Sequence, residues 1–300
     1  MYHTSQITDT KWLVAVLTGI MALGCTTEIN LNTDPTGTIK NSPTTQVESS
    51  RKEEFMKFSS KPPESWFWSH DIDPNHIDDV LLPGMHLTRL SIYGSGKSRR
   101  FAATSFRESG IEGTYLQDIA AADLDSKIAE TGARPVSITA ADVDGQLRFS
   151  LALQKGSEPK TSVHINLDEI GLGQLVNDQR RIADFTIYST GGVRKYAAIV
   201  EERPRPSWVF TRVTAKELDA NLRKHDATPV RVRGFSENGA RYFTAVAEQL
   251  DVGNWAWYDD IDSDTVAGKL DSNNAYPSDL DAYRDERGVH FTVVMYRDHN

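Results

Sequence analysis

The sequence predicts an α+β fold, a tandem array of five strand–helix–hairpin repeats that forms one curved or ring-like domain. Three observations support this class. An aliphatic anchor recurs at intervals of 47, 48, 46 and 48 residues, namely at Ile72, Ile119, Leu167, Val213 and Ile261. After each anchor the apolar residues first follow a helical period and then alternate around a glycine-containing turn. A unit of about 47 residues cannot cover its own apolar face, so neighbouring units must stack.

The composition limits the classes of function. Hydrophobic residues make up 39% and charged residues 25% of the 300, which excludes a wholly disordered chain and a multi-span membrane protein. The net charge of −9, from 33 Lys and Arg against 42 Asp and Glu, disfavours a broad phosphate-binding surface, so nucleic acid is not an expected partner. The single cysteine, Cys25, excludes an internal disulfide framework and a cysteine-cluster zinc site.

Residues 1–24 are predicted to be a signal peptide of the lipoprotein type. Residues 12–23 carry no charge, and such a run is shorter than the about 20 apolar residues that a membrane-spanning helix needs. The segment Ala22-Leu23-Gly24-Cys25 resembles the lipobox of bacterial lipoproteins. That resemblance implies a lipid on Cys25 and a membrane-anchored position in the bacterial cell envelope. A plain secretory signal and a buried N-terminal helix are the alternatives.

A disordered tether is expected over residues 25–63. Residues 26–50 include seven Thr and no aromatic residue, and such a segment buries too little apolar surface to offset its ordering entropy. The five-repeat domain is expected over residues 64–300. Its repeats are predicted at about 66–109, 113–157, 161–204, 207–249 and 255–298.

A short amphipathic helix is predicted after each anchor. Two further aliphatic residues follow at an i,i+4 spacing, which places them on one helix face. These pairs are Ile77 and Leu81, Leu124 and Ile128, Leu172 and Val176, Leu218 and Leu222, and Val266 and Leu270. Thr214 and Glu217 have the spacing of a capping box, which fixes the start of the fourth helix.

A β-hairpin is predicted after each helix. Apolar residues alternate on both sides of dipeptides such as Asp-Gly, Gly-Gly and Asn-Gly, which accept the positive φ of tight turns. Aromatic residues before the anchors indicate a leading strand, as in Trp66-Phe-Trp68 and Trp255-Ala-Trp257. A β-propeller also repeats every ~40–50 residues, but the helix in each copy and the missing fourth strand disfavour it.

The repeats share a signature, seen in residues 185–202 and 230–249, of alternating aliphatic residues, a glycine turn and a basic residue beside an aromatic one. With this signature and period they resemble the bacterial tandem-repeat domain of polyglycine hydrolase-like and β-lactamase-type serine hydrolases. The resemblance covers about residues 66–298. It implies a non-catalytic part that helps to recognise protein substrate, whereas the nucleophilic serine belongs to a separate domain.

The motifs that imitate catalytic or metal sites fit the repeat better. Ser157-Glu-Pro-Lys160 has the Ser-x-x-Lys spacing of β-lactamase-type nucleophiles, but its proline and the missing partner motifs favour a surface loop. Asp260, Asp262 and Asp264 lack the glycine and glutamate of a calcium loop and favour the start of a helix. No catalytic residue, metal site or cofactor is therefore predicted.

The tryptophans are the weak candidates for binding. Trp66 and Trp68 are spaced i,i+2, as are Trp255 and Trp257, so each pair faces one side of its strand. They are expected either to fill the core between repeats or to form an aromatic platform for a peptide or a glycan.

The sequence thus favours an exported, lipid-anchored, non-catalytic binding or recognition module whose partner is an unidentified protein, peptide or glycan. It is expected to meet the membrane through its lipid only, or to be secreted if that lipid is absent. A serine hydrolase-related protein, or an accessory subunit acting on peptide substrates, is the alternative.

We expect Cys25→Ser to move the protein from the membrane fraction to the soluble fraction, because two acyl chains on one residue give stable anchoring. Immunoblotting of the two fractions measures the change. A wild-type chain that is already soluble after export would contradict the lipid anchor and leave the signal peptide intact.

Overall fold

The chain is described from a computed structural model that covers residues 62–156 and 159–297. The predicted signal peptide, Cys25 and most of the predicted tether lie outside these residues, as does Ser157. Among the described residues, no helix combines the length and the apolar character that crossing a membrane requires.

The strands form five antiparallel sheets of three strands, and each sheet is built from three consecutive strands. The first strands are β1 (Ser65–Ile72), β4 (Gly113–Ala120), β7 (Thr161–Leu167), β10 (Ser207–Val213) and β13 (Asn254–Ile261). The second strands are β2 (His86–Tyr93), β5 (Ala133–Val143), β8 (Arg181–Thr190), β11 (Thr228–Glu237) and β14 (Ala275–Asp285). The third strands are β3 (Arg100–Arg107), β6 (Gln146–Lys155), β9 (Val193–Glu201), β12 (Ala240–Glu248) and β15 (Gly288–Arg297). In every sheet the third strand lies between the first and the second.

A short helical segment joins the first strand to the second in each unit. The first unit has a 3₁₀ helix, Pro74–Val80, and the second has a 3₁₀ turn, Ala121–Asp123, that leads into α1 (Leu124–Thr131). The later units have α2 (Glu169–Gly173), α3 (Ala215–His225) and α4 (Ser263–Asn273). One further 3₁₀ turn, Gly96–Ser98, lies between β2 and β3.

The predicted α+β class, an array of strand–helix–hairpin repeats, is wrong. Strands take 58% of the structure and helices only 21%, so the protein is an antiparallel β fold made of repeated, similar sheet units. In two units the aliphatic pair that predicted a helix does not lie on one helix. The helix α2 ends at Gly173, before Val176, and the first 3₁₀ helix ends at Val80, before Leu81. The i,i+4 spacing indicates only that both residues of a pair are at least partly buried. A single helical turn followed by an irregular segment can bury them as a longer helix does.

The five sheets close into a ring. The second strands contact one another in the order β2, β5, β8, β11 and β14, and β14 contacts β2 again. A buried apolar cluster fills each junction between neighbouring units. Members from the two sides are Leu90 with Val136, Leu151 with Ile199, Tyr196 with Val246, Leu218 with Val294, and Tyr93 with Phe291. The last pair joins the first unit to the fifth, so every sheet has a neighbour on both faces.

Charged side chains of the second strands meet on the ring axis, and we call this group the axial hub. It contains Arg89, Arg231, Arg233, Asp184, Asp279 and Asp281. The guanidinium of Arg233 lies 2.8 Å from Asp184 Oδ1 and 2.6 Å from Asp279 Oδ2. Three positive charges therefore face three carboxylates, which limits the cost of burying them.

The axial hub also satisfies backbone groups on the inner edge of the sheets. The second strand is an edge strand, so part of its N–H and C=O groups has no partner strand. The amide of Ile138 donates to Asp184 Oδ2 at 2.9 Å, and the amide of Val232 donates to Asp279 Oδ2 at 3.0 Å. Where the axial position is an arginine, the hydrogen bond is reversed, and Arg233 Nε donates to the carbonyl of Phe185 at 3.1 Å.

Turns and bulges lie at equivalent positions in the units. The predicted hairpin turns are confirmed, for example at Asn238 and Gly239, which both have positive φ of 50° and 77°. Each first strand also carries a bulge with one residue at positive φ, just before the anchor. These residues are Asp71, Asp118, Asn166, Arg212 and Asp260. The bulges interrupt the outer edge of every sheet, which disfavours edge-to-edge pairing with other chains.

The hairpin turns lie at one end of the strands, and the segments that join one unit to the next lie at the other end. We call this second end the linker face. It carries the starts of the first and second strands and the ends of the helices and third strands.

We expect Leu218→Ala to lower the free energy of unfolding by about 2–5 kcal/mol, because the side chain is 0% exposed in the cluster between the fourth and fifth units. Chemical denaturation measures the loss. The control is Ile170→Ala, whose side chain is 72% exposed and whose loss should stay within about 0.5 kcal/mol. Equal effects of the two substitutions would contradict the assigned junction.

The axial hub makes stability depend on pH. Burial raises the pKa of Asp281 to about 6, although Arg233 and a hydrogen bond from Ser91 oppose the shift. Because the pKa is higher in the folded than in the unfolded state, the stabilisation from this group is complete below pH ~4 and is lost as the pH rises through ~6. We expect the wild type to lose up to ~3 kcal/mol across this range relative to Asp281→Asn.

The measurement is the free energy of unfolding of both proteins between pH 4 and pH 7. Asp144→Asn is the matched control, since Asp144 is an exposed turn residue with a φ of 52° that asparagine also accepts. A difference curve for Asp281→Asn that is flat with pH would contradict the assignment.

Candidate functional site

Two of the four predicted tryptophans, Trp66 and Trp68, are packing residues between the first and fifth units. Both are half-buried against the apolar cluster of that junction. The ring of Trp68 stacks on His70 at 5.6 Å and meets the ring of Phe291 edge-on at 6.0 Å. These contacts place the pair against the core between repeats, which is one of the two roles that the sequence predicts for it.

Trp257 likewise packs between the fourth and fifth units. Its ring meets Phe243 edge-on at a centroid distance of 5.2 Å, and its Nε1 donates to Asp219 Oδ1 at 2.9 Å. The indole is therefore fixed on the helix α3 of the preceding unit. Three of the four candidates thus fill the core between units.

Trp255 is different because it lies at the start of β13, at the linker face, and remains 37% exposed. It lines a groove of about 530 Å³ between the fourth and fifth units. The other walls come from the end of α3, the start of β11 and the segment that joins β12 to β13. The polar lining residues are Arg223, Asp226, Thr228, Gln249 and Asp251.

The sequence around α3 fixes one wall of the groove. The helix begins at the predicted capping box, in which Glu217 N donates to Thr214 Oγ1 at 3.3 Å and Thr214 N donates to Glu217 Oε2 at 2.8 Å. It ends at Asp226, whose left-handed φ of 48° turns the chain towards β11. The amide of Ala227 then donates to the carbonyl of Leu222 at 2.9 Å, which closes the helix end.

The segment from Gln249 to Gly253 forms the opposite wall and is pinned at two points. The amide of Gln249 donates to the carbonyl of Pro206 at 3.0 Å, and Thr228 Oγ1 donates to the carbonyl of Leu250 at 3.0 Å. Both walls are therefore held by hydrogen bonds to backbone groups. A ligand would meet a groove that is already formed, which lowers the entropic cost of binding.

The chemistry of the groove suits recognition. An exposed indole offers a flat apolar face, and the charged and amide side chains around it donate and accept hydrogen bonds. The described lining residues include no serine, cysteine or histidine, and the hydroxyl of Thr228 already donates to the backbone. The groove therefore provides surface and hydrogen bonds and, within the described chain, no activated nucleophile.

The acidic stretch that imitated a calcium loop is the start of α4. Asp262 is the N-cap, and its Oδ1 accepts a hydrogen bond from the amide of Thr265 at 2.8 Å. Asp260 lies 2.8 Å from Arg287 and 3.1 Å from His290. Within residues 62–156 and 159–297, no three His, Cys, Asp or Glu side chains are grouped so that they could hold a metal ion.

Two other predicted features can be placed only in part. Lys160 of the Ser-x-x-Lys motif is exposed directly before β7, but Ser157 lies outside the described residues. Cys25 lies outside them as well. The structure therefore gives no geometry for the whole Ser-x-x-Lys segment, which the sequence predicts to be a surface loop, or for the predicted lipid site.

Trp208 of the fourth unit does not occupy the position of Trp66, because it stands five residues before its anchor and Trp66 stands six. Successive side chains alternate between the faces of a strand, so Trp208 points to the opposite face, where its ring lies 5.0 Å from that of His225.

No family model matches the chain, and no curated protein matches it either.

Proposed function

We propose that the ring is a recognition module, exported and held at the cell envelope by a lipid on Cys25, and that its ligand binds in the groove beside Trp255. The observation that carries the proposal is the exposure of this one indole. Trp66, Trp68 and Trp257 occupy junctions between units, whereas Trp255 keeps 37% of its surface open in a preformed groove.

Aromatic residues in preformed pockets supply much of the binding free energy in recognition sites, and polar groups around them set orientation. The groove has this arrangement, with the indole on one side and the side chains of Arg223, Asp226 and Gln249 along the helix end and the linker. It suits a short segment of a peptide or a glycan.

The non-catalytic part of the proposal rests on the chemistry of the groove and on the resemblance of the repeats to the recognition part of polyglycine hydrolase-like enzymes. The hydroxyl in the groove, that of Thr228, donates to a carbonyl 3.0 Å away. Covalent hydrolysis needs a nucleophile with a base within hydrogen-bond reach, and the groove brings no such pair together among the described residues.

We expect Trp255→Ala to weaken ligand binding at least tenfold, about 1.4 kcal/mol, because the indole supplies the main apolar contact. Isothermal titration calorimetry with chitotetraose and with pentaglycine measures the affinity and decides between a glycan and a peptide. The melting temperature should change little, since the side chain lies at the rim.

Val193→Ala is the matched control, because Val193 is also an exposed apolar residue, 56% exposed, but it begins β9 beside a hairpin turn at the opposite end of the strands. It should bind as the wild type does. Binding of neither probe by the wild type, or equal affinities of Trp255→Ala and wild type, would contradict the proposed site.

A further inference from the structure

The linker face holds a second groove, which lies one unit before the groove of Trp255. Its volume is about 670 Å³. One wall is the segment that precedes β8, and the other is the segment that joins β9 to β10. The lining residues are Asn177, Asp178, Gln179, Arg180, Glu202 and Pro204.

The two grooves use equivalent parts of the repeat. In both, one wall precedes the second strand of a unit and the other follows its third strand. In the groove of Trp255 the amide of Gln249 donates to the carbonyl of Pro206 at 3.0 Å. The amide of Glu202 makes the equivalent hydrogen bond to the carbonyl of Lys160 at 2.9 Å. The same contact therefore fixes the linker wall in both units.

The loop wall of the second groove is closed by its own hydrogen bonds. Asn177 and Arg180 exchange two backbone hydrogen bonds of 3.1 and 3.2 Å, and the amide of Gln179 donates to Asn177 Oδ1 at 2.9 Å. Gln179 is exposed, as is Glu202 on the opposite wall. A ligand thus meets polar side chains on a loop that is already formed, which lowers the entropic cost of binding.

A short septum, residues 204–206, separates the two grooves. Pro204 lines the second groove, and the carbonyl of Pro206 accepts from the amide of Gln249, which lines the groove of Trp255. Two residues of chain and one hydrogen bond therefore connect the two linings, so at this point they lie no more than roughly 15 Å apart. One extended molecule can reach both grooves across the septum.

The lining favours a sugar chain over a peptide. Sugar hydroxyls donate and accept hydrogen bonds, and the amide, guanidinium and carboxylate groups of Gln179, Arg180 and Glu202 offer both functions. Trp255 adds a flat apolar surface for a sugar ring. Peptide recognition commonly uses an open strand edge or pockets for apolar side chains. Of the described residues that line the second groove, Pro204 is the only apolar one.

The charges of the lining disfavour an anionic chain. Two arginines and four acidic residues line the two grooves, and the whole protein has a net charge of −9. An anionic polysaccharide is repelled by this negative surplus, whereas a neutral one is not. The charged lining residues are Arg180, Arg223, Asp178, Glu202, Asp226 and Asp251.

We propose that the two grooves together bind one neutral oligosaccharide chain. One sugar ring stacks on Trp255, and rings further along the chain cross the septum and form hydrogen bonds with Gln179, Arg180 and Glu202. This inference rests on the proposed function, because the chain begins in the groove of Trp255. It adds the class of the ligand and a second place of contact.

The test is isothermal titration calorimetry of the full chain with chitobiose, chitotetraose and chitohexaose. Chitobiose fills the groove of Trp255 alone, whereas chitohexaose reaches both grooves. We therefore expect chitohexaose to bind at least about tenfold more tightly than chitobiose, because the second contact is made within one complex.

The double variant Gln179→Ala, Glu202→Ala should lose this gain and bind chitohexaose about as weakly as chitobiose, while its affinity for chitobiose stays that of the wild type. Trp255→Ala should weaken the binding of both sugars. Circular dichroism checks that the variants fold, and Glu202→Ala alone decides if the double variant does not.

Glu286→Ala is the matched control. Glu286 is also an exposed glutamate, but it lies in the turn between β14 and β15, at the opposite end of the strands. Its variant should bind all three sugars as the wild type does. A gain with chain length that Glu286→Ala removes as fully as the double variant would contradict the second groove.

The remaining outcomes separate this inference from the proposed function. Equal affinities for the three sugars, all weakened by Trp255→Ala, would overturn the second groove and leave the first. Tighter binding of pentaglycine than of every chitin oligosaccharide would overturn the sugar chain and leave a peptide in the groove of Trp255. If the wild type binds none of these probes, both proposals fail.

Discussion

Each three-stranded sheet of this protein is apolar on both faces, and this constraint forces the ring. An open row of five sheets would leave one apolar face of the first unit and one of the fifth in water. The contact between Tyr93 and Phe291 and their neighbours covers both of these faces at once. Closure thus brings together residues about 200 positions apart, and the fold depends on this junction as much as on the four between consecutive units.

Closure creates a second problem on the axis, where five edge strands meet away from bulk water. The edges cannot pair with one another as one continuous sheet, so side chains take the place of a partner strand. Carboxylates accept from amides, as Asp184 does from Ile138, and arginines donate to carbonyls, as Arg233 does to Phe185. Hydroxyl groups serve in the same way, as Ser137 Oγ accepts from the amide of Leu90, and together these side chains explain why so many polar and charged groups are buried in the centre of the molecule.

The scaffold and the proposed groove of Trp255 use different positions of the same repeat. The buried aromatic residue of the third strand is present in every unit, as Phe101, Phe149, Tyr196, Phe243 and Phe291. At the linker face the units diverge. The position of Trp255 is occupied by Trp66 in the first unit and by a small residue, Gly113, Thr161 or Ser207, in the others. The core residues thus recur in every unit, whereas the side chains at the linker face differ from unit to unit. This variation favours the linker face as the place of recognition.

The sequence by itself determined the units. The anchors and the Asp-Gly, Gly-Gly and Asn-Gly turns depend on contacts within about 50 residues, so local chemistry specifies them. The capping box of Thr214 and Glu217 and the helix start at Asp262 could be predicted from the sequence for the same reason. The class of the fold could not be predicted in this way. An i,i+4 pair of apolar residues indicates that both are buried, but it does not show how long the helix is.

Only the tertiary structure decided which of the equivalent residues pack in the core and which remain exposed for binding. Four tryptophans had the same spacing, but three of them lie in junctions and one lies at the mouth of a groove, since exposure depends on the neighbouring unit. The ion pairs of Arg134 with Glu201 and of Arg181 with Glu248 gave no local signal either, because each pair joins two different units. Their charges meet only when neighbouring units stack, and no pattern within one repeat records that contact.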